Sequence, residues 1–158
     1  MGFHDLFTVY RWQNTFVWCK ILLIGGDILA DAIRYWVDEA REDLITAEAL
    51  LKSKRYLECG FFCHLAIEKI FKALILHNTK SVPPKSHNLI LLAKKSGILD
   101  RLDESMKDLL ADLQPFNIEG RYPEDRRKIL ESTPKRVFQE ILIKTQEGAK
   151  WLEKNLKL

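Results

Sequence analysis

The chain has 158 residues, of which 47% are hydrophobic and 30% charged, a size for one domain and a composition neither disordered nor membrane-embedded. Its 25 basic and 22 acidic residues give a formal charge of +3 and are mixed along the chain, which argues against nonspecific DNA coating but allows a local basic groove. Seven Gly and five Pro leave long stretches for helices, and the three cysteines, Cys19, Cys59 and Cys63, are too few for a disulfide framework. The thiols read as reduced and packed, with a cytoplasmic location as the default.

Residues 1–28 differ from the rest. Phe3, Phe7, Tyr10, Trp12, Phe16 and Trp18 crowd into them, followed by the apolar run Ile21-Leu22-Leu23-Ile24. Lys20 interrupts the run, no small-residue cleavage pattern follows it cleanly, and the run is far short of the roughly 20 residues that span a bilayer. Export and membrane insertion are therefore not expected. Gly25-Gly26-Asp27 can be encoded by GGA-GGT-GAT, a strong bacterial ribosome-binding sequence, and Leu29 by the alternative start codon TTG. The expectation is that 1–28 is an extension from a mis-assigned start and that 29–158 is the domain; the alternative is an aromatic arm that docks on the bundle or a partner.

Apolar residues at Ile33, Trp36, Val37, Ala40, Leu44, Ala47 and Leu51 predict an amphipathic helix over about 32–52. After Lys52-Ser53-Lys54-Arg55, the stretch from Tyr56 to His77 is apolar on almost every side, so it is expected at the centre of a bundle, with part of it available to a subunit interface. Val82-Pro83-Pro84 ends that helix. A short one, capped by Ser86, carries Leu89, Ile90, Leu92 and Ala93 and stops at Gly97. A fourth is expected from Asp103 to about Phe116, then a charged loop from Asn117 to Glu131. The fifth starts with Thr133 as cap and Pro134 in first position. The expected fold is all-α: an up-and-down bundle of four long helices plus one short helix.

Three places could carry chemistry. His64, Glu68 and Lys72 fall at i, i+4 and i+8 with Lys69 beside them, so they form one polar stripe on an apolar helix. That stripe reads either as a groove that binds a phosphate or base, or as the helix's solvated edge with Glu68 and Lys72 as an ordinary pair. His87, at the start of the short helix, suits an anion, or a histidine that pins its loop. Arg121-Tyr122-Pro123 offers a guanidinium for phosphate and a ring for stacking, or a neutralised surface loop. His64 and Glu68 are two ligands, not a metal site, and no metal or cofactor is expected.

The order Trp36-x3-Ala40-x2-Asp43-Leu44-x2-Ala47-x2-Leu50-Leu51, Arg55-Tyr56, His64-Leu65-Ala66-Ile67-Glu68-Lys69-x2-Lys72-Ala73-Leu74, Ser86-His87-Asn88-Leu89 and Arg121-Tyr122-Pro123 resembles the HEPN family over roughly 33–152. The resemblance implies a compact helical bundle, commonly a homodimer, often encoded beside a minimal nucleotidyltransferase, with members that bind nucleotides and others that cut RNA. HEPN ribonucleases use an Arg followed after four to six residues by a His. Here Arg55 and His64 are separated by eight residues, and no other Arg precedes a His within reach. The catalytic residues are thus unknown. The expected function is binding of a nucleotide or RNA with a nucleotidyltransferase partner, in the manner of a toxin–antitoxin pair, through His64, Glu68, Lys69, Lys72, His87, Arg121 and Tyr122. The alternatives are a divergent metal-independent ribonuclease using His64 or His87 with Arg121, and a structural dimerisation module.

Overall fold

A computed structural model describes residues 26–118 and 123–156. They form six α-helices and one 3-10 turn, with no strand among the described residues: α1 (Gly26–Lys52), α2 (Tyr56–Thr79), α3 (Leu89–Lys95), the 3-10 turn (Leu99–Arg101), α4 (Glu104–Ile118), α5 (Pro123–Ser132) and α6 (Lys135–Glu153). The all-α bundle is as expected. The aromatic segment assigned to an extension lies outside the described residues up to position 25, and α1 already runs from Gly26.

The bundle is built around α2. Leu57, Cys59, Cys63, Ala66, Ile67, Ile70, Phe71, Ala73, Leu74 and Leu76 are all buried, on every side of the helix. The cover comes from α1, α3, α4 and α6 of the same chain. Its all-round apolar character is thereby satisfied without a second copy. Removing that surface from water at about 25 cal/mol per Å² is the main force holding the helices together. α1 turns Ile33, Trp36, Val37, Ala40 and Ala47 inward, whereas Ile45 on its outer side is 61% exposed. Cys59 and Cys63 are free and buried.

Caps set the register of the chain between helices. Asp103 accepts the amide of Met106 at 2.8 Å and opens α4. Gly97, with φ of 74°, follows α3, and the Ile98 and Gly97 amides return to the Ala93 and Lys94 carbonyls. That left-handed residue is why a glycine stands there. Lys54 takes the corresponding position after α1 with φ of 60°, its amide bonding the Leu51 carbonyl and that of Arg55 the Leu50 carbonyl.

Three details differ from the sequence reading. The cap of α3 is Asn88, whose side chain accepts the Leu91 amide at 2.8 Å; Ser86 Oγ instead accepts the Asn88 amide. Thr133 does not cap α6, which starts at Lys135 with Pro134 in the cap position and no side-chain hydrogen bond. The expected loop 117–131 is largely helix, since α4 reaches Ile118 and α5 fills Pro123–Ser132. Charge density masked the periodicity of α5, yet Pro123 begins it where a missing N–H costs nothing. Among the described residues, no helix is long and apolar enough to cross a membrane.

Candidate functional site

The polar stripe of α2 is not a solvated edge. His64 is fully buried, Glu68 is 4% exposed, and both lie inside an otherwise apolar core. Burying a carboxylate is costly unless its charge is matched and its oxygens are hydrogen-bonded. Glu68 meets both needs. Its Oε1 accepts Lys72 Nζ at 2.6 Å, and its Oε2 accepts His87 Nδ1 at 3.0 Å. The ordinary i,i+4 pair of the sequence reading is therefore present but buried, where it matters more.

His64 is held by a different atom. Its Nε2 lies 3.1 Å from the His87 carbonyl, and a carbonyl only accepts, so Nε2 carries the hydrogen. Its Nδ1 is then a buried lone pair without a partner, 3.7 Å from Glu68 Oε2. That approach is no ion pair. Desolvation pushes His64 down to about 4, against the opposing pull of Glu68, so the ring is neutral near pH 7.

Lys72 has a second neighbour, the Trp36 ring of α1, with Nζ 5.4 Å from its centroid. Lys69 reaches across to α1 as well, 2.7 Å from Asp43 and 3.4 Å from Glu39. Burial raises Asp43 above the usual carboxylate range even though the Lys69 ammonium pulls it down. Both lysines are thus committed to carboxylates inside the protein.

His87 differs from these residues because its side chain is 60% exposed. It precedes the Asn88 cap, in the loop between α2 and α3, and the loop-pinning role foreseen for it falls partly to its own carbonyl. Gln114 of α4 completes the arrangement: Nε2 donates to the His87 carbonyl at 3.3 Å, while Oε1 accepts the Leu89 amide at 3.0 Å. Sequence reasoning missed Gln114, Asp43 and Glu39 as members of this cluster. The available signal for Gln114 was a polar residue beside Leu113 and Phe116 on an apolar helix; Asp43 and Lys69 are 26 positions apart and carry no mutual signal.

The structure thus gathers His64, Glu68, Lys72 and His87, with Lys69 in an adjoining pair. Arg121 and Tyr122 lie outside the described residues. Among the described residues, no group of three or more His, Cys, Asp or Glu side chains is placed to hold a metal ion.

These features define an all-α bundle whose central helix carries an internal polar cluster tied to a following histidine loop. The HEPN domain family model matches residues 33–155, and the chain belongs to the HEPN domain family. No curated protein and no solved structure matches it.

Proposed function

We propose that the chain is a nucleotide- or RNA-binding HEPN module that grips a phosphate and works with a minimal nucleotidyltransferase, as one half of a two-component system of the toxin–antitoxin kind. Family membership supports the nucleotide- or RNA-binding class. The observation that supports the reading is His87, an exposed imidazole whose inner nitrogen is hydrogen-bonded to a buried carboxylate. Lys69 and Lys72 serve that place from behind by balancing Asp43 and Glu68. Arg121 and Tyr122 are the proposed partners of His87 for phosphate and base. A cytoplasmic homodimer is part of the proposal; it draws on the family resemblance and on exposed apolar residues such as Ile45 and Ile143.

The test is fluorescence anisotropy of a labelled single-stranded RNA over a salt series in EDTA, with RNA integrity followed on a gel. Binding is expected to weaken with salt, and Arg121→Ala to cost about 1–3 kcal/mol and flatten the salt slope. Affinity indifferent to salt and to both Arg121→Ala and His87→Ala would sink the proposal. Cleavage that depends on His87 would replace it with the ribonuclease alternative, since His87 and Glu68 have the arrangement of an oriented acid–base imidazole.

A further inference from the structure

The imidazole of His87 has two nitrogens, and the protein holds only one of them. Nδ1 faces Glu68 Oε2 at 3.0 Å. An ionised carboxylate only accepts, so Nδ1 carries a hydrogen, and in the neutral ring the lone pair must sit on Nε2. No described residue hydrogen-bonds to Nε2, and the side chain is largely exposed. The backbone of the same residue is fastened from two helices, by His64 of α2 and Gln114 of α4 on one carbonyl oxygen. A loop residue held at its carbonyl, its ring and the neighbouring Leu89 amide has little freedom to turn its outer nitrogen elsewhere.

Outward Nε2 meets ligands differently in the two protonation states. In the neutral ring it offers a lone pair, which repels the oxygens of an anion; in the imidazolium it offers an N–H and a positive charge. We propose that His87 Nε2 is the contact atom of the phosphate site and that the contact is proton-gated, with Glu68, His64 and Gln114 as positioning residues. The identity of the ligand rests on the nucleotide reading above; the outward atom and its gating do not.

The charged and titratable groups bonded to His87 among the described residues are Glu68 and His64 of α2, with Lys72 behind the carboxylate; α4 contributes the neutral Gln114. His64 does not blur the gate, because its own ring is held neutral until about pH 4 and goes on donating to the His87 carbonyl. The orphaned Nδ1 of His64 also has an explanation: the tautomer that fastens the loop leaves that lone pair inside. The two imidazoles are thus fixed in opposite tautomers.

Long-range proton–nitrogen NMR on the full chain without ligand reads this directly. His87 is expected as the Nδ1–H tautomer and His64 as Nε2–H, and Glu68→Gln, which removes the charge but keeps the shape, is expected to shift His87 toward Nε2–H. A free His87 found as Nε2–H overturns the proposal. The gate is then probed with inorganic sulfate, whose charge is constant between pH 5.5 and 8. Its affinity is expected to rise on acidification by up to about tenfold per pH unit, as for one linked proton, and His87→Gln to abolish the slope. Gln114→Leu is expected to weaken sulfate binding several-fold while keeping the slope. Sulfate that binds equally at every pH, or at none, overturns the proposal. RNA binding that persists unchanged in His87→Gln overturns it too but leaves the nucleotide reading standing. The expected tautomers and sulfate slope without any RNA affinity would overturn the nucleotide reading alone.

Discussion

Two sets of contacts along the mostly apolar α2, one aromatic and one polar, solve the same packing problem with opposite materials. Around its first turns, Tyr56 stacks on Phe138 with ring centroids 5.5 Å apart, Phe116 lies 5.7 Å from Phe138, and Gly60 lets the Phe116 ring come down onto the helix backbone. Further along, the same helix meets its neighbours through Glu68, Lys69, Lys72 and His64, each bonded to a particular atom. The aromatic contacts gain their stability from buried area. The polar contacts gain little net stability, since desolvation offsets much of the Coulomb attraction, but they are satisfied only when particular atoms meet. A helix centre meant only to be stable would have kept the first solution throughout.

The largest effect expected from breaking this contrast is at the Glu68–Lys72 pair. Lys72→Met leaves a buried carboxylate without its counter-charge and is expected to cost about 3–5 kcal/mol in urea unfolding, whereas the double variant Glu68→Leu/Lys72→Met is expected to recover most of that loss. Equal losses in the single and double variants would show that the two charges are not coupled. Phe138→Ala is the matched control among the aromatic contacts, with a loss of the same order but no partner substitution that restores it.

The next effect sharpens the comparison through pH. His64 is lowered in the folded chain to about 4 from an ordinary 6.5, so the unfolded chain binds the extra proton first. Its contribution to stability is complete above about 6.5 and is lost as pH falls from there toward 4, by about 3 kcal/mol in all. His64→Gln should flatten that part of the stability profile. Asp43, raised by burial, acts in the opposite sense, so the difference between wild type and the His64 variant is what isolates the imidazole. Identical profiles would mean that His64 is charged or exposed in solution.

The smallest effect lies in the aromatic contacts. A Cβ at position 60 would sit 2.7 Å from the Phe116 ring, which is held in turn by Phe138. Gly60→Ala is therefore expected to destabilise by about 1–3 kcal/mol despite the better helix propensity of alanine, measurable as a lowered Tm. An unchanged or raised Tm would mean that the aromatic contacts yield more readily than their packing implies.

The legible part of this molecule was its apolar periodicity. Ile33, Trp36, Val37, Ala40 and Ala47 announce one face of α1, and the mixed surface of α2 announces its central place, because burial acts on every residue of a helix and leaves a repeat. Caps were read less well: Ser86 and Thr133 have the right chemistry, but Asn88 and Pro134 occupy the positions, a choice made by backbone angles that one sequence does not display. α5 was missed because few apolar residues mark its face. At the site, the i, i+4 and i+8 spacing correctly put His64, Glu68 and Lys72 on one stripe, yet the same spacing suits a wet surface as well as a buried cluster. What decides between them is whether His87 and Gln114 arrive from elsewhere in the fold, and no local pattern encodes that arrival.

α2 ends on Lys80, which adopts φ of 54°, a conformation usually left to glycine. Its ammonium folds back to the His77 carbonyl at 2.7 Å, so a positive charge sits among the unpaired carbonyls at the negative end of the helix. The backbone strain of the stop is set against an electrostatic attraction that dissolved ions weaken. The entrance to the loop that carries His87 is therefore held by a backbone cap bond from the Lys80 amide to the Leu76 carbonyl and by an exposed charge contact whose electrostatic share falls as ionic strength rises.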